Sequence, residues 1–252
     1  MIHYTDPYLL NPRHAVTVNL IGVGGTGSQV LSSIARINYA LIELGHPGLY
    51  VTAFDNDIVT ESNCGRQLFS ISDIGQNKAS VLITRLNRFF GTDWKSIPDR
   101  YVPYSNSANI IISCVDNVSS RVEINHHFQN SRNLGESEKR EIYWLDFGNS
   151  QNSGQVILGS VGNIKQPKTK GIKSISKLKN VAELFDLSTV KDEDSGPSCS
   201  LAQALTKQDL FVNSTLAQLG CALFWKLISS GSIDYHGAYM NVQTMNVNPI
   251  KL

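Results

Sequence analysis

The chain has 252 residues, enough to bury one large α/β core or one domain with a modest lobe. Its 41% hydrophobic and 17% charged residues are ordinary for a folded protein, and a formal net charge of +1 points to neither nucleic acid nor an anionic membrane as the main partner. The opening MIHYTDPYLLNPRH does not read as a leader, and no later stretch supplies the roughly 18 uninterrupted apolar residues of a membrane span, so a cytoplasmic protein is expected.

Val16 to Ile21 reads as a short apolar strand running into the glycine cluster Gly22-Val23-Gly24-Gly25-Thr26-Gly27. Ser28 to Leu44 then sets Val30, Leu31, Ile34, Ile37 and Leu41 at helical spacing, and Leu49 to Phe54 is a strand ending at Asp55-Asn56-Asp57. After a polar, turn-rich stretch through Gln76, a helix is predicted from about Asn77 to Phe90 and a connecting strand over Trp94 to Tyr104. Asn109 to Val115 is almost purely apolar, as a central parallel strand buried on both faces should be, and it stops at Asp116-Asn117.

Ser119 to Gln129 restarts as a helix, Asn130 to Arg140 is a charged surface loop, and Ile142 to Phe147 with Gln155 to Val161 forms a strand pair. From Asn163 to Pro197 the pattern fails and a long mobile crossover is expected. Gln208 to Ser229 recovers helical periodicity, its stripe of Phe211, Leu216, Leu219, Leu223 and Leu227 suiting a core or a dimer interface. Gly237 to Val247 is a last alternating segment. Strands alternating with helices predict an α/β, Rossmann-like, doubly wound, mainly parallel sheet. A single domain over 1–252 is expected, with an N-terminal arm (1–15), the crossover (163–200) and a C-terminal helix and strand (201–252).

A glycine turn between strand and helix lets the backbone approach a pyrophosphate while the helix N-terminus offers unpaired N–H groups. Gly22, Gly24 and Gly27 satisfy GxGxxG in that context. The motif alone does not choose among NAD, FAD, S-adenosylmethionine and ATP. Asp55, at the end of the second strand, is placed to accept from ribose hydroxyls, although it lies farther past the glycines than the usual spacing of about 20.

The run Asp55-Asn56-Asp57-Ile58-Val59-Thr60-Glu61-Ser62-Asn63-Cys64-Gly65-Arg66-Gln67 resembles the DxDxVxxSNxxRQ signature of the ThiF/MoeB/HesA E1-like activating enzymes. Asp73-Ile74-Gly75-Gln76-Asn77-Lys78-Ala79 resembles the family's DIGxxKA element, and Cys114-Val115-Asp116-Asn117 with Arg121 its DxxDN…R strand end. Segments such as HPGLYVTAFDND, GRQLFS and LNRFFGTDW look like the ThiF-family proteins of bacterial PRTRC gene clusters.

The resemblance implies ATP- and Mg²⁺-dependent adenylation of the C-terminal glycine carboxylate of a ubiquitin-like protein, in a homodimer, with an E2-like acceptor as a further partner downstream. It implies that Arg66 and Lys78 stabilise charge on the α-phosphate, that Asp116 holds Mg²⁺, and that Asn63 and Gln67 orient the phosphates. Gly25, Asp57 and Asn117 join Gly22, Gly24, Gly27 and Asp55 as nucleotide-binding residues. Surface solvation is the alternative for Arg66 and Lys78, and helix capping for Asp116.

Four cysteines, Cys64, Cys114, Cys199 and Cys221, stand singly with no CxxC pair, so the two-pair zinc site of many relatives is missing. Pro197-Ser198-Cys199-Ser200 resembles the PxCT segment bearing the thioester-forming cysteine, which makes Cys199 the candidate nucleophile, with a small buried hydrophobe as its alternative. Cys64, Cys114 and Cys221 read as packing residues. An NAD(P)-dependent oxidoreductase on the same glycine turn, or a non-catalytic nucleotide-binding docking module, are the competing functions.

Overall fold

The computed structural model describes residues 1–131, 141–168, 171–187, 202, 205 and 207–252. Its elements in chain order are β1 (His3–Tyr4), α1 (Pro7–Leu10), β2 (Val16–Ile21), α2 (Gly25–Glu43), β3 (Leu49–Phe54), α3 (Lys78–Phe90), β4 (Lys95–Ile97) and β5 (Ile110–Ser113). There follow α4 (Val118–Ser131), β6 (Tyr143–Asn149), β7 (Ser153–Ser160), α5 (Val181–Leu184), α6 (Val212–Ser230), β8 (Ser232–Ile233), β9 (Tyr235–Asn241) and β10 (Asn246–Lys251).

One eight-stranded sheet runs in the order β10-β9-β7-β6-β5-β2-β3-β4, and β1 pairs with β8 in a separate ribbon. The five strands from β6 to β4 are mutually parallel, while β7, β9 and β10 continue the sheet antiparallel. This is the expected α/β doubly wound architecture with an antiparallel extension. Period-two alternation sends Val16, Val18 and Leu20 to the face packed by α2, α3 and α6, and Ile21 and Ile111 to the face with Phe128 of α4 and Val181 of α5.

Successive crossovers go opposite ways from β2: β3 pairs on one side and β5 on the other. The sheet therefore has its topological switch between β2 and β5, where parallel α/β sheets leave a crevice beyond the strand carboxyl ends. The local sequence explains the caps around it. Asn77 accepts from Ser80 N and donates to the carbonyls of Asp55 and Asp57, which locks the start of α3 against the end of β3. Gly91 and Gly231 end α3 and α6 in the left-handed conformation that glycine adopts without penalty.

Three expectations change. The strand foreseen over Trp94 to Tyr104 shrinks to β4, because Trp94 turns inward to donate its Nε1 to Leu49 O (2.9 Å) and Pro103 starts a short 3₁₀ turn. The last alternating segment is a hairpin of two strands, β9 and β10, rather than one strand. Residues 163–168 and 171–187, expected within the mobile crossover, are tied down. Ile164 and Ile175 donate to Ser176 O and Ile2 O, and Leu178 and Val181 are buried. Residues 132–140 of the charged loop and 188–200 of the crossover lie outside the described residues.

Candidate active site

A cleft of about 510 Å³ opens at the switch point, in the size range of small-ligand sites. Its floor is the turn between β2 and α2. Gly22 sits at φ +81°, and a Cβ there would lie 2.8 Å from Cys114 O at the end of β5. At Gly27 a Cβ would meet Gly22 O at 1.9 Å, so the turn closes only around a glycine. Gly24 caps α2 and faces Gln67, whose amide lies 3.9 Å from where its Cβ would be. Gly22, Gly24 and Gly25 all line the cleft, with the unpaired end of α2 beneath them.

Asp55 and Asp57 reach the cleft from the end of β3. Asp55 Oδ2 accepts from Val23 N (2.7 Å) and Oδ1 from Asp57 N (2.9 Å), so the carboxylate holds the glycine turn itself. Burial raises the Asp55 pKa, against the lowering pull of those two N–H groups and of Lys78. Lys78, at the start of α3, is nearly buried and pairs with the exposed Asp57 through Nζ–Oδ2 (2.8 Å).

Arg66 and Gln67 come from the loop between β3 and α3. Arg66 Nη1 donates to Gln208 Oε1 (2.8 Å), and burial alone lowers its pKa. Arg66 Nε and Gln67 Oε1 are buried with no hydrogen-bond partner. Orphaned buried polar atoms are rare, and each carries a desolvation cost of about 1–3 kcal/mol until something satisfies it.

From the other side, Asp116 projects from the loop after β5 and is exposed in the cleft. It does not cap α4. That task falls to Asn117, whose Oδ1 accepts from Ser120 N (2.8 Å) while its Nδ2 donates to Asp116 Oδ1 (3.3 Å), so the Asp116 carboxylate spends nothing on the helix and keeps its other lone pairs for further partners. Asn117 lines the cleft, but its oxygen is committed to the helix.

Among the described residues, two expected site residues, Gly27 and Asn63, do not line the cleft: Gly27 packs under the turn against Gly22 O, and Asn63 serves its own loop. Asn63 Oδ1 accepts from Thr60 N (2.9 Å) and Thr60 Oγ1 in a capping box, which shapes the loop that carries Arg66. Cys199, with Pro197, Ser198 and Ser200 around it, lies outside the described residues.

This arrangement coincides with a family match that spans most of the chain: the profile of the ThiF family aligns with residues 12–249. The chain belongs to the ThiF family. It is similar over 119 residues, at 30% identity, to the NEDD8-activating enzyme E1 catalytic subunit of Arabidopsis thaliana, covering 45% of this chain and 24% of the relative. Over 196 residues it is 24% identical to ubiquitin-like modifier-activating enzyme 5 of Culex quinquefasciatus, covering 70% of this chain and 44% of that one. This ThiF-family chain thus spans less than half the length of either curated relative.

Among solved structures, MccB of E. coli with ATP matches at TM-score 0.58 and 17% identity over 96% of this chain and 64% of that one, which establishes the shared fold. Selenomethionine PaaA matches at TM-score 0.59 and 14% identity, over 94% and 64%.

Two buried polar residues of this ThiF-family chain belong to no motif of the linear reading: Asn213, which lines the cleft, and Asp146, which does not. Asn213, at the start of α6, is buried and accepts from Thr26 Oγ1 (2.8 Å) and Asn149 Nδ2 through Oδ1, while donating to Gln208 Oε1 (2.8 Å). Asp146, in the apolar strand Ile142 to Phe147, accepts from Arg121 Nε on both oxygens (2.9 and 3.0 Å). An aspartate amid such a strand was the legible clue, since a buried carboxylate demands a cation.

Of the described cysteines, burial pushes Cys221 up to about 12 and Cys114 well above the usual thiol range, so neither is a ready nucleophile. Among the described residues no cluster of three or more His, Cys, Asp or Glu could hold a metal, and no helix is long and apolar enough to cross a membrane.

Proposed function

We propose that this chain binds ATP in the cleft and transfers its adenylyl group to the C-terminal carboxylate of a ubiquitin-like protein, releasing pyrophosphate. The observation that carries the reading is the pair of orphaned atoms, Arg66 Nε and Gln67 Oε1, on two residues that line the cleft together with the glycine turn. A polyphosphate gives Arg66 Nε the acceptor it lacks. Gln67 Oε1 needs a donor, which a ribose hydroxyl supplies, while Nε2 of the same amide can donate to a phosphate oxygen. Asp55 keeps a second lone pair on each oxygen for the ribose, beyond the two N–H groups it already holds.

In the reaction, a carboxylate oxygen of the partner forms a bond to the α-phosphorus. The bond from that phosphorus to the bridging oxygen breaks, and its electron pair leaves on pyrophosphate. Arg66 and Lys78 stabilise the negative charge on the phosphoryl oxygens as this happens. Asp116 would hold Mg²⁺, and its exposed carboxylate fits, because Mg²⁺ is commonly bound by one or two carboxylates together with substrate phosphates. Bound there, the ion would neutralise phosphate charge. Pairing of two copies, an E2-like acceptor and thioester transfer to Cys199 belong to the same proposal.

ATP–pyrophosphate exchange, run with each ubiquitin-like protein encoded near the gene, tests it. Partner-dependent exchange is expected. No exchange with any partner, together with a larger thermal shift from NAD or NADP than from ATP with Mg²⁺, would hand the cleft to an oxidoreductase.

A further inference from the structure

Arg66 is, among the described residues, the one cation lining the cleft without an acidic partner. Lys78 is paired with Asp57 and Arg100 with Glu123. Among the described residues the Arg66 guanidinium donates to a neutral oxygen, Oε1 of Gln208, just before α6 and far away in sequence. That same Oε1 accepts from Asn213 Nδ2 (2.8 Å), and Asn213 is in turn gripped by Thr26 and Asn149. The space where a Cβ on Gly25 would sit is filled by the Asn213 side chain, 2.8 Å from its Nδ2. The glycine turn, the start of α6 and the Arg66 loop are therefore joined through one amide oxygen.

We propose that Gln208 is the positioning residue for Arg66: it fixes the guanidinium through a neutral acceptor and so leaves its full charge for the phosphate groups of ATP. The inference rests on the ATP reading of the cleft and adds to it the residue that sets anion affinity. The chemistry turns on charge rather than shape. A carboxylate at the same place would accept the same two hydrogen bonds, but would form a charge-assisted pair with Arg66 and neutralise it in advance. Both hydrogen bonds of Gln208 among the described residues arrive at Oε1, so Gln208→Glu preserves them and changes only the charge. A residue that merely braced the fold would tolerate that exchange.

The test uses the full chain in calorimetric titrations with ATP, pyrophosphate and adenosine, each at low and high salt, alongside thermal unfolding. Gln208→Glu is expected to melt at or above the wild-type temperature. It should bind ATP and pyrophosphate weaker by on the order of tenfold, a gap that salt narrows, while adenosine binding stays unchanged. Gln208→Leu, which removes the acceptor, should also weaken ATP and pyrophosphate but not adenosine, and it stands in if the Glu variant does not fold. Variants that bind ATP and pyrophosphate as wild type does overturn the role of Gln208 and leave the ATP reading intact. A wild-type chain that binds neither ligand overturns the ATP reading, and this inference with it.

Discussion

Asp146→Ala removes the centre of a buried polar network that holds the Asp116 loop. Asp146 is 1% exposed in its side chain and Arg121 10%. Arg121 also donates through Nη2 to Val115 O (2.9 Å) and Phe147 O (2.8 Å), and through Nη1 to Asn117 O, so it clasps the backbone on both sides of Asp116. Ser113 Oγ donates to Asp146 Oδ1 and accepts from Trp144 Nε1 (2.7 Å).

Deleting one partner of a buried ion pair costs about 3–5 kcal/mol, and the Ser113 hydroxyl that loses its acceptor adds about 1 kcal/mol. A loss of roughly 4–6 kcal/mol follows, a large part of the stability of an ordinary domain. At about 2–4 °C per kcal/mol for a chain of this size, the Tm should fall by roughly 10–20 °C. Urea unfolding followed by tryptophan fluorescence measures it, with Trp144 lying inside the network. Asp146→Leu combined with Arg121→Met should recover part of the loss, because an apolar pair leaves no stranded charge, although the carbonyls of Val115, Asn117 and Phe147 lose their donor. A loss below about 1 kcal/mol in Asp146→Ala would refute the reasoning, since it would mean that water reaches the pair as it does at a surface.

Arg66→Ala and Lys78→Ala should each lower pyrophosphate exchange by on the order of 10²-fold with little change in Tm, and full exchange in either would remove its assigned role. Gly27→Ala must move Gly22 O out of the 1.9 Å overlap, so a cost of about 1–3 kcal/mol and loss of ATP binding are expected; a variant that binds ATP normally would contradict the close packing of the turn. Burial lowers the pKa of His3 and of His236 below 6.5 in the folded chain, so below about pH 6.5 the unfolded chain binds more protons. Stability should therefore drop as pH falls from 7 to 5, with a shallower slope in His3→Gln; equal urea midpoints for wild type across that range would argue against it. Cys199→Ala should leave exchange intact and abolish a reductant-sensitive adduct with the partner on a non-reducing gel. An adduct that survives the mutation would assign the thiol step to another cysteine.

Local signals carried the frame of this fold. Apolar runs located β2 and β5, the glycines marked the turn, and the residues just past β3 and β5 supplied Asp55, Asp57 and Asp116, all of which line one cleft. What the sequence concealed was how each polar group is spent. Asn63 and Asn117 look like ligand contacts, yet both oxygens satisfy backbone N–H groups at helix starts, a competition that short amide side chains usually win locally. The bonds linking Gln208 to Arg66 and Asn213 to Thr26 join segments far apart in the chain, where no spacing rule operates. Asp146 was the exception, a polar residue in an apolar strand whose partner Arg121 had already been noticed for another reason.

The ends of the main sheet limit its growth. At one border β4 spans three residues, too short a ledge for a foreign strand to pair along. At the other, β10 carries Pro249, which has no N–H to donate, Lys251 and an irregular register between Ile250 and Lys251. A sheet with five parallel strands is slow to assemble and exposes sticky intermediates on the way. Blunt borders of this kind discourage neighbouring molecules from adding strands to it, so they protect the chain from polymerising at cellular concentration.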